Sequence, residues 1–321
     1  MPASLRRLKF ADDPLFGDDT PLALYMLYEL HYRGFDGVDD DWEWDVDLHR
    51  LRTRLQRAFL ARTQDVVEQR FGRAPVAAPG VADELRAIAT ADGPSVSAFM
   101  ASEGTLQHMR EFAVHRSAYQ LKEADPHTWA IPRLAGRSKA ALVRIQTDEY
   151  GNGREPLLHS TLFADTMRAL RLDDRYGAYL DLLPGFTLAT VNLVTMFGLH
   201  RRWRGALIGH LALFEMCSVT PMSRYVEALE RFGIHAAVPF YDAHVSADQW
   251  HQVIALDDMV GGLVASEPQL AADIVFGARA LDIVERTFAR ELLDAWSHGE
   301  SSLRAATTHP GLAPQRAAVR S

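Results

Sequence analysis

The amino-acid sequence predicts an all-α protein that folds as a multi-helix bundle. Apolar residues recur at the three- and four-residue spacing of a helix over most of the 321 residues, whereas the alternating runs typical of β-strands are almost absent. The composition, 48% hydrophobic and 24% charged, is that of a globular protein with a sizeable core. We therefore expect helices that pack their apolar faces around a common interior.

A helical N-terminal extension is expected over residues 1–75. One helix is predicted over residues 21–32, because it opens with Thr20 and Pro21, a favoured cap and first-turn pair. A second helix is predicted over residues 47–70, where apolar residues keep a helical register. Residues 72–82 contain two prolines and two glycines, which indicates a linker.

The main bundle is expected over residues 76–296, and residues 297–321 are predicted to be a disordered polar tail. Gly261 and Gly262 are expected to end the helix that opens near Pro239. Amphipathic patterns predict helices over residues 95–123, 139–150, 159–171, 187–197, 202–230, 239–260 and 268–296.

Charge and composition argue against several classes of protein. The net charge is -8 and the pI is about 5.9, so the sequence gives no indication of a nucleic-acid partner. Cys217 is the one cysteine, which excludes an internal disulfide and suits a reducing, cytoplasmic location. Neither a secretory signal nor a membrane span is expected, because no apolar run is long enough. A homodimer is compatible with the sequence, although no particular residue indicates one.

Three polar residues form the pattern H-x-x-x-D-x-x-H. His244, Asp248 and His251 fall at positions i, i+4 and i+7 of the helix predicted over residues 239–260, so they share one face. Two imidazoles and a carboxylate on one inward face are a typical set of metal ligands. The alternative is that both histidines are ordinary buried side chains that pair with Asp248.

Further candidate ligands lie upstream of this pattern. Glu215 lies in one of the most apolar stretches of the chain, where an unpaired buried carboxylate costs several kcal/mol or stays protonated. The alternative is that Glu215 pairs with an arginine or is exposed. Glu149 closes a predicted helix and His159 follows ten residues later. Alone, Glu149 is typical of a surface residue and His159 of the start of a helix. Helical bundles build di-iron and di-manganese sites from such mixed carboxylate and histidine sets.

In this order, the residues resemble the haem-oxygenase-like di-iron oxidases, a family of iron-containing redox enzymes. The resemblance is carried by Asp148-Glu149-Tyr150-Gly151 with His159, by Glu215 in its apolar helix, and by the H-x-x-x-D-x-x-H pattern. It implies the fold of haem oxygenase and two iron ions, with manganese not excluded. The ligands that it implies are Glu149, His159, Glu215, His244, Asp248 and His251.

The same resemblance implies an O2-activating oxidase or oxygenase that needs an external electron donor. Its substrate would be a small organic molecule, amino-acid-like or fatty-acid-like, and the outcomes would include N-oxygenation, desaturation, C–C cleavage and decarboxylation. The interval between Glu149 and His159 contains Gly151, Gly153 and Pro156. The helix must break or bulge there if both side chains are to point inward.

The helix over residues 95–123 would line the substrate cavity by resemblance, and we expect His115 and Tyr119 to face it. His108, Glu111 and His115 also offer a competing metal set at i, i+3 and i+7. The alternative for these three residues is a solvated polar face.

The charged neighbours of that set are expected to be structural or exposed. Glu111 is predicted to pair with Arg110 or Arg116, and Lys122 and Glu123 are predicted to be surface charges.

Other functions compatible with the fold remain open. A haem enzyme would need an axial histidine on an early helix, such as His31. A hydrolase of the thiamin-salvage type would need a nucleophile, for which Cys217 is a poor candidate beside Glu215. A non-enzymatic helical binding protein would hold no stoichiometric metal.

Overall fold

The computed structural model describes residues 10–73 and 76–305, which form helices and, within these ranges, no strand. The predicted all-α class is confirmed. In chain order the α-helices are α1 Asp19–Glu29, α2 Val46–Phe71, α3 Val81–Ala89, α4 Val96–Ser102, α5 Leu106–Gln120, α6 Asp125–Thr128, α7 Gly136–Glu149, α8 His159–Ala169, α9 Gly185–Leu199, α10 Arg204–Cys217, α11 Val219–Arg231, α12 Val238–Val253, α13 Gly261–Ser266 and α14 Ala271–Ser297.

Shorter helical segments connect these helices. A π-helix, Ile254–Val260, joins α12 to α13. Single 3-10 turns lie at Asp40–Trp44, Ala78–Gly80, Ile131–Arg133, Gly151–Gly153, Glu155–Leu157, Leu180–Leu182, Arg201–Trp203, His235–Ala237 and Pro268–Leu270.

The centre of the bundle is formed by α9, α10 and α14. Helix α9 is buried along almost its whole length, because polar residues are few between Gly185 and Leu199 and each of its threonines has a hydrogen-bond partner. Helices α10 and α14 approach each other closely where Gly209 faces the backbone of Ile274 and Gly277 faces the backbone of Ala206. A side chain at either glycine would push the two helices apart.

The N-terminal helices pack directly on this bundle. Helix α1 lies against α9, and α2 lies against α14, where Arg70 forms an ion pair with Asp282 at 3.1 Å. Residues 72–82, predicted to be a linker, already contain the start of α3 at Val81. Ala74 and Pro75, within that predicted linker, lie outside the described residues.

Two helices predicted to be continuous are broken. The helix predicted over residues 95–123 is divided into α4 and α5, because Thr105 caps a new helix with its hydroxyl on the His108 amide. The helix predicted over residues 202–230 is divided into α10 and α11, which are bent by 48°. Pro221 lies in the first turn of α11, where its missing amide proton is not needed.

The predicted stop at Gly261 and Gly262 is wrong, since α13 continues to Ser266. The reason for glycine at position 262 is packing, because a side chain there would meet Arg137 and the amide of Ser138 at the start of α7. The tail predicted to be disordered from Ser297 begins with a packed segment, because Ser302 is buried and bonded to Glu111. Residues 306–321 lie outside the described residues.

Within the described ranges, no single helix has both the length and the apolar composition of a membrane span. One bent pair, Arg201–Cys217 with Val219–Arg231, passes that test by length and composition only.

Candidate metal centre

Carboxylates and imidazoles from five parts of the chain converge inside the bundle. They form two groups. Within each group, all the ligand atoms lie within 4.8 Å of one another. Glu149 belongs to both groups, so it is placed between them. The first group consists of Glu123, Glu149, His159 and His244, and the second consists of Glu149, Glu215 and His251.

The first group pairs two carboxylates with two imidazoles. His159 Nδ1 lies 2.7 Å from Glu149 Oε2, and His244 Nε2 lies 3.4 Å from Glu123 Oε1. The two imidazole nitrogens are 3.2 Å apart. His244 Nδ1 donates to the carbonyl oxygen of Phe240 at 2.8 Å, which fixes the tautomer of a neutral ring. The lone pair of Nε2 is then directed at the centre of the group, as in a metal-ligating histidine.

The second group is arranged around His251. Its Nδ1 lies 3.3 Å from Glu215 Oε2, 3.3 Å from Asp248 Oδ1 and 3.8 Å from Glu149 Oε1. Its Nε2 lies 3.0 Å from Asp148 Oδ2 and donates to that carboxylate. A carboxylate behind a histidine is the usual outer partner of a metal ligand, because it orients the ring and raises its basicity. Asp248 therefore joins Glu149, Glu215 and His251 in one cluster.

Three polar atoms in these groups are buried and find no hydrogen-bond partner in residues 10–73 and 76–305. They are Glu123 Oε2, Asp248 Oδ1 and His251 Nδ1. Asp248 Oδ1 and His251 Nδ1 lie 3.3 Å apart, within the range of an ion pair but without a hydrogen bond, and buried polar atoms are nearly always hydrogen-bonded. Divalent cations between the carboxylates would satisfy all three atoms. The donor set, imidazole nitrogen with carboxylate oxygen, suits iron or manganese.

The electrostatics of the cluster are those of strongly coupled acids and bases. Burial raises the pKa of Glu215 to about 8, and the charges of Asp248 and Glu149 add to the effect. Burial also raises the pKa of Glu149, but interactions with His159, His244 and His251 outweigh it and lower that pKa to about 2.

The pKa values of His244 and His251 are raised, whereas burial alone would lower the pKa of a histidine. Burial lowers their pKa, yet the adjoining carboxylates outweigh it and raise the pKa of His244 to about 10 and that of His251 to about 11. Protons therefore balance the negative charge when no metal ion is bound. Metal binding would release them, since the ligands must be deprotonated.

A partly enclosed cavity of about 40 Å³ is lined by residues of the cluster, among them Glu123, Glu149 and Glu215. It has room for about one water molecule. Tyr119, Phe214 and Met222 supply apolar walls, and the amide of Gln146 supplies a polar one. His127 also lines the cavity.

His127 pairs with a second buried histidine. Its Nε2 lies 3.2 Å from His210 Nδ1. Burial lowers the pKa of His127 to about 4 and that of His210 well below its usual value. Both rings are therefore neutral near pH 7.

The structure brings together all six ligands predicted from the sequence, namely Glu149, His159, Glu215, His244, Asp248 and His251. The expected break between Glu149 and His159 is present, because α7 ends at Glu149 and α8 begins at His159. Gly151 has a φ of 60°, and a side chain there would overlap the backbone of Leu157. The turn thus aims both residues at one interior.

Glu123 is the residue that the sequence reasoning missed. It was predicted to be a surface charge, yet its side chain is only 9% exposed and faces His244. Lys122 was predicted to be exposed as well, and it is 1% exposed. The sequence did contain an indication that Glu123 faces the cavity, because Glu123 follows Tyr119 at i+4 on the helix face expected to line it.

His115 does not line the cavity, contrary to the prediction. It hydrogen bonds to Thr187 Oγ1 at 2.7 Å and to Ser302 Oγ at 2.9 Å. Glu111 accepts from Trp296 and Ser302 rather than from an arginine, and His108 stacks on Trp296. Positions 108, 111 and 115 are therefore linked through Trp296 and Ser302, and within the described residues their ligand atoms form no group that could hold a metal ion.

The residues required by the other functions lie away from the cavity. His31 bonds to Glu43 Oε1 at 2.9 Å in the N-terminal part of the chain. Cys217 is exposed at the end of α10.

Comparison with known proteins agrees with the site. Residues 110–284, which include all seven candidate ligands, match the model of a family described as iron-containing redox enzymes. The chain is 23% identical over 263 residues to the nitrosourea synthase of Streptomyces achromogenes subsp. streptozoticus. The match covers 79% of this chain and 55% of the relative, so the chain spans about half the length of the curated relative it matches. The chain belongs to the family of iron-containing redox enzymes.

Proposed function

We propose that this chain is an O2-dependent oxidase or oxygenase that holds two iron ions and oxidises a small organic substrate. The observation that carries the proposal is the shared carboxylate, because Glu149 lies between two groups of buried ligand atoms. A single metal site would not need a second carboxylate and histidine set beside it. Helical bundles use this arrangement for paired iron ions.

The charge of the ligand set supports two divalent ions. Glu123, Glu149, Glu215 and Asp248 together carry four negative charges when ionised, which equals the charge of two divalent cations. Three neutral histidines complete the set. Seven side chains do not fill the coordination of two ions, so positions stay open for O2 or substrate. The choice of iron over manganese is supported by the family, because the ligand types accept both.

Bound iron would supply the O2 chemistry, which protein side chains cannot perform. The chain's own residues have other tasks. Asp148 and the Phe240 carbonyl hold the rings of His251 and His244 in a fixed orientation. Tyr119 and Phe214 give the cavity apolar walls. An external donor would provide the electrons that the substrate does not.

Nitrogen oxidation is the outcome that the similarity favours. The relative is named a nitrosourea synthase, a nitrosourea carries a nitroso group on nitrogen, and similarity extends over 79% of this chain. Desaturation, C–C cleavage and decarboxylation are the other outcomes within the proposal.

Metal analysis of the chain loaded with Fe(II) without air tests the proposal. We expect about two iron ions per chain and a transient visible absorbance on mixing with O2. Glu149→Gln removes the shared charge and should lose both ions and the absorbance, whereas Glu155→Gln, at an exposed position, should behave like the wild type. Unchanged iron content in Glu149→Gln would refute the assignment of the ligands. A wild-type chain without iron would refute the function.

A further inference from the structure

We propose that helix α1 is part of the apparatus that positions the metal centre, because Glu29 holds Lys122 and thereby fixes the neighbouring ligand Glu123. The inference rests on the proposed function, since it concerns the geometry of that site. It makes Glu29 and Lys122 positioning residues, which act through Glu123 and do not touch the metal ions.

Glu123 lies in a turn and not in a helix. Helix α5 ends at Gln120 and α6 begins at Asp125, and between them the amides of Lys122 and Glu123 form the tighter bonds of a turn, to the carbonyl oxygens of Tyr119 and Gln120. Ala124 has a φ of 72°, which is uncommon for a residue with a side chain. Such a conformation persists only where the surroundings enforce it. The position of the Glu123 carboxylate therefore depends on what holds the turn.

The strongest constraint on this turn is a buried ion pair with α1. Lys122 Nζ lies 2.6 Å from Glu29 Oε2, and both side chains are 1% exposed. The rings of Tyr25 and Tyr32 lie 4.7 Å and 4.3 Å from the same nitrogen. The hydroxyl of Tyr176 donates to the other Glu29 oxygen at 2.5 Å. Lys122 is thus enclosed by residues of the N-terminal segment, and its backbone has little freedom.

Two further side chains bind the main chain on either side of Lys122 and Glu123. Arg33, which follows α1, donates to the carbonyl oxygen of Leu121 at 3.1 Å. Gln146 of α7 donates to the carbonyl oxygen of Ala124 at 2.9 Å. Leu121, Lys122 and Ala124 are therefore each bound to another element. The side chain of Glu123 points away from these contacts, towards His244.

A purely structural role is the alternative, since a buried pair can stabilise a fold without serving a site. The two roles differ in what happens when the pair is replaced as a unit. Neutral residues of similar size in place of a buried ion pair often leave stability unchanged, whereas removal of one partner leaves an uncompensated charge. The double variant Glu29→Gln with Lys122→Met therefore separates loss of positioning from loss of folding.

The experiment measures Mn(II) binding to the full chain, with electron paramagnetic resonance as the reporter. The wild type should give the signal of two coupled ions. The double variant should weaken binding of the ion at the Glu123 group by about 10–100-fold, the range found for residues that orient metal ligands. Its signal should become that of an isolated ion, as for Glu123→Gln. Arg62→Met, which removes an N-terminal ion pair to Asp13 away from the turn, should keep the coupled signal.

The outcomes separate the inference from the proposed function. A double variant that binds two coupled ions with wild-type affinity overturns the inference and leaves the function intact. A wild-type chain that never binds a coupled pair overturns the proposed function, and the inference with it. If the double variant fails to fold, Arg33→Met decides, because Arg33 is exposed and its side chain binds the turn at the Leu121 carbonyl oxygen. Weaker binding of the ion at the Glu123 group in Arg33→Met supports the inference, and unchanged binding of that ion overturns it.

Discussion

His244 and His251 are each oriented through the ring nitrogen that faces away from the ligand cluster. A backbone carbonyl accepts from His244, and the carboxylate of Asp148 accepts from His251. Sequence reasoning found both rings because one helix fixes their relative placement. It found Glu215 because a carboxylate in an apolar stretch needs a partner. The spacing of Glu123 from Tyr119 indicated the cavity face, but the burial of its turn could not be predicted, because Glu29, which pairs with Lys122 in that turn, lies 93 residues from it in the chain.

His115 should give the protein a specific sensitivity to acid. Burial lowers its pKa to about 3, with a smaller contribution from Arg116, so the ring is neutral in the folded chain. In the unfolded chain His115 takes up a proton near pH 6.5. Between pH 6.5 and pH 3, each unit by which the pH is lowered therefore reduces the free energy of unfolding by about 1.4 kcal/mol. We expect His115→Gln to be less stable at pH 7, through lost bonds to Thr187 and Ser302, but to lose less stability on acidification.

Urea unfolding of the metal-free chain at several pH values measures this effect. The difference in free energy of unfolding between wild type and His115→Gln should narrow as the pH is lowered from 7 to 4. His235→Gln, at an exposed position, should follow the wild-type slope. Parallel curves for wild type and His115→Gln would contradict the assignment of a buried neutral ring.

Helix ends and breaks were less predictable than helices. The amphipathic pattern continues through Ser218 and through Glu103, so it gives no sign that the chain changes direction there. The information was local, in the cap at Thr105 and in Pro221. Gly261 and Gly262 misled the prediction for a different reason, because Gly262 serves the close packing of α13 on α7. A glycine pair can mark a contact between helices as well as the end of one.

Alanine in place of two glycines should have opposite effects on stability. Gly209 lies at the crossing of α10 and α14, whereas Gly261 begins α13. A methyl group at Gly209 would overlap the carbonyl oxygen of Ile274, so Gly209→Ala should destabilise the fold by about 1–3 kcal/mol. Gly261 has helical torsion angles, and its methyl group would lie 3.7 Å from the nearest atom, Leu256 O. Gly261→Ala should therefore stabilise by about 0.4–1 kcal/mol. Midpoints of urea unfolding measure both, and equal effects would contradict the packing described here.

The whole molecule encloses an unusual concentration of negative charge. Glu123, Glu149, Glu215 and Asp248 lie in one interior, with contributions from α7, α10, α12 and the turn after α5. The fold brings them together because apolar faces of the helices are buried around them, and the sequence predicted that bundle. The sequence could not predict the size of the cavity, since its walls come from side chains whose facing depends on the bends between helices.

Metal ions should stabilise the entire fold, because only the folded chain brings the ligand side chains of five separate segments together. An ion that binds only the folded chain stabilises it by about 2.7 kcal/mol at a hundred times its dissociation constant. Fe(II) or Mn(II) added without air should therefore raise the melting temperature of the wild type by several degrees, whereas Mg(II), which prefers oxygen ligands, should raise it less. Glu149→Gln lacks the carboxylate common to both groups, so its melting temperature should not respond to Fe(II). An equal rise in wild type and variant would mean that the ions bind elsewhere on the molecule.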